Sequence, residues 1–137
     1  MKILILVNPA TNYKNFFYNT AKSLTSLGHT IYYAYDSRKN KITNPIPEMD
    51  NSGKSFFFDE YLENYSDIDQ DYFFETTWGE YFYSDFDRFL THNYNLSNSS
   101  ERWVFIRKSL DSFFNSILTK NKIDIVLYEN ISNSFEY

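Results

Sequence analysis

The chain has no cysteine among its 137 residues, which excludes a disulfide framework, thiolate metal ligands, a cysteine nucleophile and thiol redox chemistry. Histidine is scarce as well, with only His29 and His92. The three glycines, Gly28, Gly53 and Gly79, are too far apart to build a phosphate cradle. Neither GxGxxG nor a Gly-Lys-Ser/Thr loop is present, so NAD, FAD or ATP held at a first strand-to-helix turn is not expected. Apolar runs are short. None approaches the roughly 18 residues of a membrane span, and Ile3 to Val7 runs straight into Asn8-Pro9, too short for the core of a secretion signal. With a mean hydropathy of -0.53, the expectation is a cytoplasmic protein without a transmembrane segment.

Aromatic side chains make up 21% of the sequence, enough to build a core in a single domain of ordinary size. Charge is divided unevenly behind the net value of -5. Ten acids and one base, Arg88, lie between Phe56 and Tyr94, giving -9 there and +4 over the remainder. A chain with this distribution lacks the clustered lysine and arginine that phosphate neutralisation requires, so nucleic acid is not an expected partner.

The periodicities describe an α/β fold. Lys2 to Val7 is a continuous run rich in branched residues, the pattern of a parallel strand buried on both faces. Tyr13, Phe16, Phe17, Ala21, Leu24 and Leu27 recur at steps of three and four, predicting a helix closed by Gly28. Thr30 to Tyr35 then forms a second strand. Further on, Asn98-Ser-Ser-Glu101 has capping-box spacing ahead of a helical stripe, Trp103, Ile106, Leu110, Phe113, Phe114 and Ile117, and a third strand is predicted over Ile123 to Tyr128. The expected architecture is a Rossmann-like open parallel sheet of at least three strands flanked by helices, forming one domain over residues 1–137. An aromatic, acidic helical insertion at about 39–98 contains short helices at Phe58, Tyr61, Leu62, Tyr65 and at Phe82, Phe86, Phe89, Leu90, and is expected to pack beside the sheet. A further helix begins near Ser132, and the stop at Tyr137 a turn or two later points to a longer parent chain.

Open parallel sheets bind ligands beyond the carboxyl ends of their strands, where crossovers diverge. That rim comprises Asn8 to Asn12, Asp36 to Arg38 and Glu129 to Ser132. Asn8, Thr11, Asn12, Asn130 and Ser132 are the candidate substrate-binding residues, offering hydrogen bonds to a polyhydroxylated ligand. The same asparagines also suit turns and caps. Glu129 and His92 are the candidate catalytic groups, whereas His29, at the other end of the sheet, has the position of a turn-filling residue. Asp67-Ile-Asp-Gln-Asp71 starts like a calcium loop, but Tyr72 stands where that loop needs glycine and Trp78 where it needs glutamate, so no metal is expected.

Lys2 to Val7, followed by a helix closing in Leu27-Gly-His-Thr30 ahead of the second strand, resembles the start of the GT-B class of glycosyltransferases. Ile123 to Ser134 is similar to a later strand and loop of bacterial enzymes that build capsular or lipopolysaccharide sugars. The resemblance covers about residues 1–37 and 120–135 and finds no counterpart for 39–98. It implies an acceptor-side domain for surface polysaccharide synthesis, inactive without a carboxy-terminal donor-binding domain that would hold the nucleotide-activated sugar. Its own partner would be a saccharide acceptor, with no cofactor, and Glu129 or His92 would be the base. Aromatic faces such as Trp78, Tyr81 or Tyr83 could stack on sugar rings. A different reading is a non-enzymatic acidic interaction protein that binds a basic partner through residues 56–94.

Overall fold

A computed structural model describes residues 1–7, 14–43, 54–65 and 100–128. The second predicted short helix, at Phe82 to Leu90, the calcium-like acidic run and the helix beginning near Ser132 lie outside the described residues. Eight elements follow in order: β1 (Lys2–Leu6), α1 (Lys14–Ser26), β2 (Thr30–Tyr35), α2 (Arg38–Thr43), β3 (Ser55–Phe57), α3 (Phe58–Asn64), α4 (Ser100–Asn121) and β4 (Ile125–Leu127). The strands form one all-parallel sheet in the order β3-β2-β1-β4, an α/β arrangement of Rossmann-like type.

β1 is central because it can be buried from both sides. Leu4 and Leu6 enter one core with Ala34, Phe58 and the α4 residues Ile106, Leu110, Phe113 and Ile117. Ile3, Ile5 and Val7 enter the other with Phe17 and Ala21 of α1 and with Ile31, Tyr33 and Tyr35 of β2. Strand alternation therefore divides one apolar run between two layers of helices. Ile106, Leu110, Phe113, Phe114 and Ile117 of the α4 stripe pack as their spacing predicts, and the side chain of Trp103 lies outside the described residues. The α1 stripe is narrower than predicted: Phe17, Ala21 and Leu24 face the sheet, whereas Phe16 is 52% exposed and Leu27 71% exposed. Phe16 lies one helical step to the side, edge-on to Phe17 at 5.4 Å between ring centroids, and Leu27 falls beyond the last helical residue.

The fourth strand comes from the segment read as an insertion. Ser55–Phe57 pairs with Tyr33–Tyr35 and leads directly into α3. A three-residue strand shows too little alternation to register in a sequence pattern, and the continuous aromatics of Phe56 to Phe58 serve strand and helix at once. The predicted strand over Ile123 to Tyr128 is likewise shorter, because Ile123 is used to close α4.

Both long helices end in the same hydrogen-bonded turn. At the end of α1, Gly28 N–H donates to the carbonyl of Thr25 at 2.9 Å and His29 N–H to that of Leu24 at 3.1 Å, with Gly28 at φ +83°. His29 therefore has a backbone role in the turn, and the amino terminus donates to its Nδ1 at 3.3 Å. At the end of α4, Lys122 N–H donates to Thr119 at 3.3 Å and Ile123 N–H to Leu118 at 3.1 Å, with Lys122 at φ 53° in place of a glycine. Lys2 supports this junction by donating from Nζ to the carbonyl of Asn121 at 2.9 Å, a cation at a helix carboxyl terminus.

The two helix ends predict opposite signs for substitution at their left-handed residues. Gly28→Ala should destabilise the fold by about 1 kcal/mol through conformation alone, since a Cβ there meets nothing within 4 Å, and Lys122→Gly should stabilise it by about 0.5–1 kcal/mol; urea unfolding checks both signs. The buried hydroxyl of Tyr33 has no hydrogen-bond partner among the described residues, and burial pushes its pKa up to about 12. Tyr33→Phe should therefore raise stability by about 1 kcal/mol, and a loss of similar size in the same assay would show that the hydroxyl is satisfied.

Candidate functional site

Because every strand runs the same way, all four carboxyl ends lie along one edge of the sheet. The chain moves from β1 outward through β2 to β3 and then returns to place β4 on the other side of β1. The direction of winding thus reverses between β1 and β4, which is where open sheets of this kind form their ligand crevice. Ile5 is registered on Leu127, so β1 and β4 leave the sheet side by side. Val7 and Tyr128 are the last described residues at these two exits. The predicted substrate-binding residues Asn8, Thr11, Asn12, Asn130 and Ser132, and the predicted catalytic Glu129 and His92, lie outside the described residues, as do Trp78, Tyr81 and Tyr83.

The described part of the rim is a polar network at the exits of β1, β2 and β3. Asp36, which directly follows β2, is only 8% exposed, and Asn40 on α2 is 4% exposed. Asn40 donates from Nδ2 to the carbonyl of Val7 at 3.2 Å, and its side chain also hydrogen-bonds Asp36. Ser37 donates from Oγ to Asp36 Oδ1 at 3.2 Å and accepts from the Asn40 N–H at 3.2 Å, so it caps the start of α2 while bracing the carboxylate. Asp59 N–H donates to the Asp36 carbonyl at 3.2 Å and brings the exit of β3 into the same junction.

An outer ring of charge encloses this junction. Arg38 donates to Asp59 from its backbone N–H and from Nε, each at 3.1 Å, and its guanidinium also pairs with Glu63. The hydrogen bonds that Arg38 donates to Glu63 and then Asp59 raise its pKa further, and because Arg38 and Glu63 are solvent-exposed these pairs contribute little to stability. Two of the ten acids counted in the acidic segment are therefore engaged by a base outside it. No group of three or more potential metal ligands occurs among the described residues.

Burial shifts the Asp36 pKa upward by desolvation, against the opposing hydrogen bonds from Asn40 and Ser37, with the nearby Asp59 charge adding to the rise. Asp36 was placed on the rim by the sequence, but Asn40, Asp59 and Glu63 were not singled out. The signal for Asn40 was present in the spacing from Ser37, since the third helical residue faces the cap. Asp59 and Glu63 were visible only as net charge.

No family model matches the chain, and no curated protein and no solved structure proves significantly similar to it.

The raised Asp36 pKa fixes a sign. The folded state keeps this proton to higher pH than the unfolded chain, whose carboxyl has the ordinary value of 3.8, so folding stability falls as pH climbs from there through the folded-state value. Relative to Asp36→Asn, the wild type should lose stability as pH rises above the ordinary carboxyl value of 3.8 in urea titrations. Parallel curves for the two proteins would contradict the assignment.

Proposed function

We propose that the crevice at the β1 and β4 exits binds a saccharide, and that the chain acts as the acceptor-side domain of a glycosyltransferase of bacterial surface polysaccharide synthesis. The observation that carries this reading is the parallel pairing of β1 with β4, at the point where the sheet reverses its winding. The Gly28-His29 turn ahead of β2, on which part of the family resemblance rests, supports it by forming a well-made helix end.

In this reading Asn8, Thr11, Asn12, Asn130 and Ser132 hydrogen-bond acceptor hydroxyls. Glu129 or His92 takes the proton from the attacking hydroxyl as its oxygen bonds to the anomeric carbon, and the nucleotide leaves with the electron pair of the broken bond. Asp36, fixed by Asn40 and Ser37, positions the exits of β1 and β2 and is not the base. The activated sugar is held by a separate donor-binding domain, so this chain alone transfers no sugar. A cytoplasmic location suits such an activity, and among the described residues no helix is long and apolar enough to cross a membrane.

The test is a titration of short oligosaccharides followed by amide NMR shifts. Perturbations should centre on Val7, Asp36 and Tyr128. Shifts confined to Gly28 and His29, at the opposite end of the sheet, would overturn the placement.

A further inference from the structure

The hydrogen bonds around Asp36 all run toward its carboxylate. Among the described residues, Ser37 donates to it from Oγ at 3.2 Å and from its backbone N–H, and the side chain of Asn40 donates to it as well. The Ser37 hydroxyl is committed as a donor, because its oxygen already accepts the Asn40 N–H at 3.2 Å. A shell of donors fits the ionised acid, whereas burial at 8% exposure favours the neutral one. Two opposing effects of one small cluster therefore act on this carboxyl.

Asn40 carries this balance to β1. Its Nδ2 donates to the Val7 carbonyl at 3.2 Å while the same amide holds the Asp36 carboxylate, so both of its hydrogens are in use. A hydrogen bond to a charged acceptor is about twice as strong as one between neutral groups. Protonation removes that strengthening and gives Asp36 a hydrogen that needs an acceptor. The Asn40 amide supplies one by turning its oxygen to Asp36, and in doing so it takes Nδ2 away from Val7. The Val7 N–H stays on the Ala34 carbonyl at 2.9 Å, so the Val7 carbonyl is the part that is freed.

We propose that Asp36 is a proton-operated latch on the β1 exit: the ionised acid holds the Asn40 amide on the Val7 carbonyl, and the protonated acid lets it go. Asp59, near the start of α3, faces Asp36 and favours proton uptake, and Arg38 of α2 offsets it by pairing with Asp59 and Glu63. Elsewhere on α2, Lys39 is exposed and Lys41 lies over the Phe57 ring, 5.7 Å from its centroid. At the β1 exit, Val7 and residues 8–13 carry no acid or base besides the phenol of Tyr13. Desolvation of Asp36 places the change above the ordinary carboxyl value of 3.8. The latch is independent of saccharide binding, because it consists of bonds within the chain and needs no ligand to operate.

An NMR pH titration of the whole chain tests it, read at the Asp36 carboxyl carbon, the Asn40 side-chain amide and the Val7 carbonyl carbon. All three should shift with one shared midpoint above 3.8, while the amides of Ile31 and Tyr33, within the β2 ladder, stay in place. In Asp36→Asn the Val7 and Asn40 signals should be flat over the same range. In Asn40→Ala the Asp36 carboxyl should still titrate, at a higher midpoint because a donor is lost, and Val7 should be flat. An Asp36 titration that leaves Val7 unmoved in the wild type would overturn the proposal by assigning the acid hydrogen to the Ser37 hydroxyl. A Val7 shift that persists in Asp36→Asn would overturn it in favour of another acid, Asp59 included. One midpoint shared by the whole sheet would overturn it by showing unfolding in place of release.

Discussion

β1 is bonded on both edges and packed on both faces, and the position of every other described element follows from that. Parallel strands need helices over each face, since their crossovers must travel across the sheet and their side chains alternate between two interiors. A strand reading Ile-Leu-Ile-Leu supplies both interiors from one short run: Leu4 and Leu6 for the α4 side, Ile3 and Ile5 for the α1 side. Once β2 and β4 pair with it, the carboxyl edge of the sheet is defined, and with it the point where the order of the described strands reverses.

The polar junction at that edge shows how a sheet of this kind keeps its exits in register beyond the ladder. Val7, Asp36 and Asp59 follow three different strands, yet the Asn40 side chain bonds the Val7 carbonyl and the Asp36 carboxyl, and the Asp59 N–H bonds the Asp36 carbonyl. A hydrophobic group at position 36 would avoid the desolvation penalty carried by a buried carboxyl. Retaining the acid holds the turn into α2 in a single geometry, and it concentrates a titratable group where sites on such folds occur.

How much of this could be read from the residues depended on length and burial. The long helices and the two strands with both faces covered were legible, because Ile106, Leu110, Phe113 and Ile117 or Lys2 to Leu6 repeat over enough positions to fix a period. Ser55–Phe57 was not legible as a strand, since a serine and two phenylalanines in succession carry no period. Phe16 and Leu27 counted toward a stripe by spacing, but a lateral helical step and a helix end at Ser26 left them outside it. The rim was legible as a location through Asp36 and the strand ends, whereas the spacing of Ser37 and Asn40 signals a helix cap but not the bond from the Asn40 side chain to Val7. The ion pairs of Asp59 and Glu63 with Arg38 depend on β3 lying beside β2, which no local pattern encodes.

The partnership of β1 with β4 also bears on how the molecule is made. Lys2 and Asp124, which share a hydrogen bond at the start of this ladder, are 122 positions apart. On the ribosome the first strand is therefore synthesised long before the segment that seals its second edge. It can pair with β2 and α1 early, but Ile3 to Ile5 must keep one side of their backbone open until the closing strand emerges. Contacts of such separation are slow to form, and an open apolar edge during that interval is a site for mispairing with other nascent chains. Vectorial synthesis thus leaves the second edge of β1 as the last of the described ladders to close.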